Sequence, residues 1–224
     1  FQSYTNTYGD IEKLERIFTT AANRDDIVAI SIGTRPDCLQ EAVISMLNRL
    51  NKIKPVWVEL GLQTSNEKSA EYIRRCYENC VYEKAVKDLK AININVITHI
   101  IIGLPNETKE DALNTVDFAV KCGTDGVKLQ LLHILTDTDL ADEYKKNPFK
   151  VLSLEEYTDI LIKLLEHLRP DIVIHRMTGD GPKNILIAPE WSKNKRNVLN
   201  YINKQFTIKN TTQGSHYLLD KGEC

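Results

Sequence analysis

One stretch restricts the possible folds more than any other: Val96-Ile97-Thr98-His99-Ile100-Ile101-Ile102-Gly103-Leu104-Pro105-Asn106-Glu107-Thr108. It reads as a buried strand, broken at Gly103 and Pro105, that passes directly into a helix. Side chains alternate along a strand, so Val96, Thr98, Ile100 and Ile102 line one face, and Ile97, His99, Ile101 and Gly103 the other. His99 is the single polar residue on that second face. Thr108 followed by Asp111 reads as a helix N-cap ahead of Leu113, Val116 and Val120. A strand, a glycine-bearing turn and a helix start in direct succession are how α/β folds build small-molecule sites.

The same grammar recurs along the chain. Phe1 to Tyr4 is strand-like, and Thr7-Tyr8-Gly9-Asp10 turns it into a helix carrying Ile11, Leu14, Ile17 and Phe18. A strand from Ile27 to Gly33 precedes a helix with Val43, Met46, Leu47 and Leu50 at helical spacing. Val56 to Gln63 is the next strand. Helices through Tyr72 and Ile73 and from Tyr82 to Ala91 follow. The helix after Thr108 runs to Cys122, with Gly123 as its C-cap. Gly126 to His133 is a strand, Leu135 to Leu140 a loop, and Glu143 to Phe149 a short helical or irregular connection. Ser153 and Glu156 form a capping box for a helix ended by Pro170. Ile172 to Thr178 is the last clear strand, turned by Gly179-Asp180-Gly181-Pro182. A helix from Lys193 to Phe206 leads into a polar tail, Thr207 to Cys224. Residues 1–191 read as the domain body, and residues 192–224 as a C-terminal helix and tail. Strand and helix thus alternate about six times, the signature of βαβ units and a parallel sheet, either doubly wound or a barrel.

Charge and cysteine usage exclude several functions. A formal net charge of -2 gives no global basic field for tight, non-specific nucleic-acid binding. The apolar runs fall short of the roughly 20 residues of a membrane span, and Phe1-Gln2-Ser3-Tyr4 does not open a signal peptide, so a cytoplasmic protein is expected. No start methionine precedes Phe1, so the natural N-terminus is expected to be missing. Five cysteines, an odd count, argue against a disulfide framework. Cys76 and Cys80 share a helical spacing but have no further metal ligands beside them, which favours plain thiols.

Polar residues share one face of the strands. Trp57, Glu59, Gly61 and Gln63 oppose Val56, Val58, Leu60 and Leu62; Ser31 and Gly33 oppose Ile30 and Ile32; Lys128 and Gln130 oppose Val127, Leu129 and Leu131. A closed eight-stranded barrel fills its lumen with branched apolar side chains, and unpaired charges there cost several kcal/mol each. A lumen lined by Ser31, Glu59, Gln63, His99, Lys128 and Gln130 instead indicates a wider, incomplete barrel around a polar ligand. The alternative is a buried Glu59–Lys128 ion pair without a ligand.

These strand ends carry a family resemblance. Ile32-Gly33-Thr34-Arg35-Pro36-Asp37, Glu59-Leu60-Gly61-Leu62-Gln63-Thr64, Ile102-Gly103-Leu104-Pro105-Asn106-Glu107-Thr108, Leu132-His133-Ile134-Leu135 and Ile174-His175-Arg176-Met177-Thr178-Gly179-Asp180-Gly181-Pro182 resemble, in this order, radical S-adenosylmethionine (SAM) enzymes. They are most similar to the subgroup related to the elongator catalytic subunit and to oxygen-independent coproporphyrinogen oxidase, within its bacterial elongator-like branch. The resemblance covers Phe1 to Trp191. It implies a partial (β/α)6 TIM-like barrel, a [4Fe-4S] cluster on a C-x3-C-x2-C loop after the first strand, and SAM on the fourth iron. It further implies reductive cleavage of SAM, hydrogen abstraction from a substrate that includes RNA among its classes, and an electron donor such as flavodoxin or ferredoxin.

No C-x3-C-x2-C occurs in the sequence, and Phe1 to Thr7 matches the family's second strand and turn. The expectation is therefore a barrel lacking its first strand and cluster loop, unable by itself to cleave SAM. Thr5-Asn6-Thr7 matches the turn that contacts the SAM amino group, with the usual glycines replaced. Gly33 stands where relatives carry a glutamate. Gln63 and His99 match positions near the ribose, Arg75 one that pairs with the SAM carboxylate, and Gly103 with Leu104 backbone beside the adenine. Ser31 joins this cofactor set through the lumen face. Glu59, Lys128, His133 and Arg176 are the substrate-side candidates. Arg75 reads equally well as a solvated helix charge, and His133 and His175 as structural histidines. Lys193, Lys195, Arg196, Lys204 and Lys209 around Trp191, Tyr201 and Phe206 read as a solvated amphipathic helix ahead of an RNA contact. Two rival functions remain: a non-catalytic barrel that binds a ligand or partner protein, and a phosphate-binding barrel enzyme using Gly179-Asp180-Gly181.

Overall fold

The computed structural model describes residues 1–2, 4–179 and 181–217. These form two compact units, one of Phe1–His99 with Phe118–Val127, the other of Ile100–Asp117 with the described residues of 128–217.

In the first unit, Asp10 caps α1 (Ile11–Ala22) by accepting from the Lys13 N–H, which leaves Phe18 and Ala22 on the buried stripe. β1 (Ile30–Thr34) and β2 (Val56–Gln63) are joined by a 3-10 turn at Pro36–Cys38 and by α2 (Glu41–Asn51), whose Val43, Met46, Leu47 and Leu50 are buried. The two strands run parallel, Ile30 opposite Val56 through Thr34 opposite Leu60. Asn66 caps the short α3 (Glu67–Tyr72), and α4 (Asn79–Ala91) buries Tyr82, Ala85, Val86 and Leu89. β3 (Asn95–Ile102) follows. The expected face alternation holds: Val56, Val58, Leu60 and Leu62 are buried, while Trp57, Gly61 and Gln63 are half-buried. Glu59 departs from it. It lies on the polar face yet is only 4% exposed.

Thr98 needs a partner on the apolar side of β3, and a chain of hydroxyls supplies it. Tyr82 Oη lies 2.5 Å from Thr98 Oγ1, which lies 2.7 Å from Thr124 Oγ1. Thr124 donates onward to the carbonyls of Val96 and Gly126. Burial pushes the Tyr82 phenol far above its ordinary range, so it stays a neutral donor.

At the start of α5 (Lys109–Cys122), Thr108 N–H donates to Asp111 Oδ2 at 2.8 Å and the Asp111 N–H returns to Thr108 Oγ1. This is the expected cap, with aspartate closing the box. Gly123, at φ +102°, ends the helix. β4 (Gly126–Leu131) completes the strands that adjoin β3.

The second unit departs more from expectation. Instead of a loop over Leu135 to Leu140, β5 (Ile134–Leu135) is followed by Thr138, which caps α6 (Asp139–Lys146). The Ser153/Glu156 capping box opens α7 (Leu154–His167) as expected. β6 (Val173–Arg176) comes next, and the unforeseen β7 (Leu186–Ala188) pairs antiparallel with β5. α8 (Lys195–Lys209) outlasts the expected helix by most of a turn. The polar tail is also corrected. Gly214 and His216 N–H groups donate to the carbonyls of Leu165 and Glu166, and Gln213 Nε2 to those of Arg169 and Ile172. Residues 210–217 are therefore bonded to the end of α7 because the last carbonyls of a helix need donors. The rest of the expected tail lies outside the described residues.

The main sheet is parallel, five-stranded and ordered β1-β2-β3-β4-β6. Beyond β1, the Gly33 N–H donates to the Phe1 carbonyl at 2.8 Å, so the strand-like opening lies along that edge without forming a regular ladder.

Candidate functional site

Three adjacent strands each aim one polar side chain from the same face, and these meet at Glu59. Its Oε1 accepts from Ser31 Oγ at 2.7 Å and from Gln2 Nε2 at 2.8 Å. Its Oε2 lies 2.8 Å from His99 Nε2. A carboxylate so buried must collect donors to remain ionised, and three side chains converge on this one. The bond between Nε2 and this carboxylate fixes the orientation of the imidazole ring. With a side chain 25% exposed, His99 is the more accessible member of the pair. A fixed imidazole backed by a buried carboxylate is chemically able to engage hydroxyl and amide groups.

Asn6 and Thr7 hold the opening segment to β1. Asn6 Nδ2 and its N–H both donate to the Gly33 carbonyl, at 2.8 and 3.1 Å. Thr7 Oγ1 shares a 2.6 Å hydrogen bond with Thr34 Oγ1 and donates to the Cys38 carbonyl. Thr5 is half-buried beside them.

Arg75 is not the solvated helix charge that its sequence setting allows. Its side chain is 2% exposed. Nε donates to the Tyr77 carbonyl, Nη1 reaches the carbonyls of Leu62 and Thr64 and Asn79 Oδ1, and Nη2 pairs with Glu67 Oε2. The guanidinium thus grips the backbone on both sides of Gln63, whose φ of +65° reverses the chain at the end of β2. Tyr77, absent from the sequence reading, packs under both Arg75 and Arg35, with their guanidinium carbons 4.8 and 5.1 Å from its ring centre. Its hydroxyl donates to the Gly61 carbonyl. Burial raises this phenol to about 12. A Cβ on Gly61 would lie 2.7 Å from the Gln63 amide nitrogen, so the Gln63 side chain would have to swing aside.

In the second unit, Gly103 at φ +89° and Leu104 border a cavity of about 550 Å³ whose other walls include Lys109, Phe149, Leu152 and Asp159. Lys128 is buried and Arg176 half-buried. Gly179 and Gly181 flank His133 closely, and a Cβ on either would come within 2.4 and 2.8 Å of its ring. This glycine pair holds an imidazole. A phosphate loop has no such side chain in its cradle, so the phosphate reading finds no support in the geometry.

The structure therefore brings Ser31, Glu59 and His99 into one network and adds Gln2. Strand alternation identified the first three. Gln2 lay in a segment too short to show alternation. In the sequence, Tyr77 gave no signal, since its partners are backbone carbonyls and cations from other segments.

The Radical SAM superfamily matches residues 2–119, and its Radical_SAM C-terminal domain matches residues 124–207. The chain belongs to the radical SAM superfamily. Within it, the chain is 39% identical over 217 residues to YtqA of Bacillus subtilis, covering 97% of this chain and 67% of that protein. It is 26% identical over 184 residues to a tRNA uridine(34) acetyltransferase of Methanocaldococcus jannaschii, covering 79% of this chain and 32% of that enzyme. The archaeal Elp3 of Methanocaldococcus infernus shares the fold, with a TM-score of 0.77 at 19% identity over 93% of this chain and 53% of that one. The chain spans about two thirds of the first relative and smaller shares of the other two proteins. The elongator-like, partial-barrel expectation holds.

Membership in this superfamily implies SAM and a [4Fe-4S] cluster, and the cysteines test the second. Cys76 and Cys80 are exposed, and Cys38 and Cys122 are half-buried. Burial raises the thiol of Cys38 and lifts that of Cys122 to about 11, the reverse of what thiolate ligation needs. Among the described residues no three cysteines gather, so they do not fit a cluster.

Proposed function

We propose that this chain is the SAM- and substrate-binding part of a radical SAM enzyme whose cluster ligands are not among these residues. The complete enzyme would cleave SAM reductively and abstract hydrogen from an RNA base. The single observation that carries this reading is the Glu59 network on the polar strand face of a superfamily member. A buried carboxylate that fixes His99 and Ser31 provides what a ribose needs: an imidazole held in one orientation and a hydroxyl, with the carboxylate kept out of water. The remaining cofactor residues are Thr5, Asn6, Thr7, Gln63, Gly103 and Leu104, with Arg75 holding the backbone around Gln63 in place for them. Lys128, His133 and Arg176 are assigned to the substrate. RNA is supported by the tRNA-modifying relative. A modest charge fits a structured RNA element better than indiscriminate binding. A flavodoxin or ferredoxin in the cytoplasm would supply the electron. No helix among the described residues is long and apolar enough to cross a membrane.

The test is to express the gene with its upstream coding region, reconstitute iron and sulfide anaerobically, and measure 5'-deoxyadenosine. The expected outcome is SAM-dependent formation that falls at least tenfold in Glu59→Gln. A cluster-loaded protein that makes none would support a non-catalytic ligand-binding barrel and overturn the enzyme reading.

A further inference from the structure

Glu166 and His167 close the last turn of α7, and His216 arrives from the segment that folds back along that turn. One ligand atom from each residue can be chosen so that all three lie within 4.8 Å of one another, the only such group among the described residues. We propose that Glu166, His167 and His216 form a binding site for a divalent zinc-like cation, separate from the polar strand face.

Three features point to a metal as well as to an ion pair. First, His216 Nδ1 stands 3.4 Å from Glu166 Oε2. Charge-assisted hydrogen bonds close to about 2.7–2.9 Å. Two ligands on a tetrahedral zinc, each at about 2.1 Å, stand about 3.4 Å apart. The pair is thus spaced as ligands are, more widely than a hydrogen bond would set it.

Second, His167 is prepared for ligation. Its Nδ1 lies 2.8 Å from the Lys163 carbonyl, which can only accept. Nδ1 therefore carries the proton in the neutral ring, and Nε2 holds the lone pair. A backbone carbonyl on the far nitrogen is the usual support of a metal-bound histidine. The two rings meet edge to face at 5.6 Å between centres.

Third, the acid is supported from behind. Glu166 Oε1 accepts from Thr211 Oγ1 at 2.8 Å, which leaves Oε2 directed at His216. The Glu166 side chain is only 12% exposed. Two imidazoles and one carboxylate are a zinc ligand set, with water completing the four positions. The ion would cross-link the returning segment to α7, where backbone hydrogen bonds already place it.

The experiment is titration of the EDTA-stripped chain with Zn²⁺ in an isothermal calorimeter. Wild type and a Cys76→Ser/Cys80→Ser variant are expected to bind one equivalent equally well. His216→Ala and Glu166→Gln are expected to bind at least tenfold more weakly while keeping the wild-type circular dichroism. Added Zn²⁺ should also slow amide exchange at Gly214 and His216. Absence of a one-equivalent event, or binding unchanged by His216→Ala, would overturn the site. Binding lost in the cysteine variant alone would assign the ion to thiols and overturn it too.

Discussion

Removing Arg75 is expected to unfold the end of β2 before it affects anything else. Arg75→Ala deletes the donors to three backbone carbonyls, those of Leu62, Thr64 and Tyr77. Leu62 and Thr64 are fully buried. A buried acceptor left without its donor costs about 1–3 kcal/mol. The Leu62 carbonyl keeps the Thr64 N–H at 2.8 Å and the Tyr77 carbonyl belongs to a half-buried residue, so one full loss and two partial ones come to about 3–5 kcal/mol. The Glu67 pair adds little, because that carboxylate is half-exposed. For a domain of this size, each kcal/mol lowers Tm by about 2–4 °C, so scanning calorimetry should register a fall of roughly 6–20 °C. Arg75→Lys keeps the charge but not the planar fork, and should lose about half as much. If Tm moved by less than about 2 °C, the guanidinium would not be a structural tie. A loss of SAM affinity at unchanged Tm would then favour a direct role on the SAM carboxylate.

Two further measurements test the packing. Tyr77 and Cys122 have acid constants raised in the fold, to about 12 and about 11, mainly by burial. The folded state therefore holds those protons more tightly than the unfolded one, and stability falls with rising pH, between about 9 and 11 for Cys122 and about 10 and 12 for Tyr77. Urea midpoints taken from pH 8 to 11 should decline, and Cys122→Ala should flatten the lower part of that decline. A midpoint that rose with pH would contradict the buried placement of both groups. Thr98→Val is nearly isosteric but removes the middle hydroxyl between Tyr82 and Thr124. It should cost about 2–3 kcal/mol, against about 1 kcal/mol for Tyr82→Phe, which leaves the Thr98–Thr124 bond in place. Equal losses in urea unfolding would show that the hydroxyl chain does not act as a unit.

The parallel strands were legible because their burial is periodic. Ile30, Ile32, Val58 and Leu60 alternate with Ser31, Gly33, Glu59 and Gly61, and nothing local competes with that pattern. The helix starts were legible for a related reason, since Thr108 with Asp111 and Ser153 with Glu156 satisfy backbone donors within one turn. What escaped was non-local. A two-residue strand such as β5 has no period, and its pairing depends on β7, far along the chain. Arg75 looks like any helical charge until the carbonyls around Gln63 turn toward it. In the candidate site, alternation identified Ser31, Glu59 and His99 as neighbours. Gln2, which also donates to Glu59, escaped because its segment is too short to show alternation.

The corner held by Arg75 also bears on the order of folding. Gln63, Arg74 and Cys76 all adopt positive φ without being glycine, each an unfavourable backbone state. Every acceptor of the guanidinium lies within 13 positions of it in the chain. The loops closed by these bonds are short and entropically cheap compared with pairing strands across βαβ crossovers. The turn from β2 into α4 can therefore set early, presenting β2 in its final direction before β1 and β3 dock on either side.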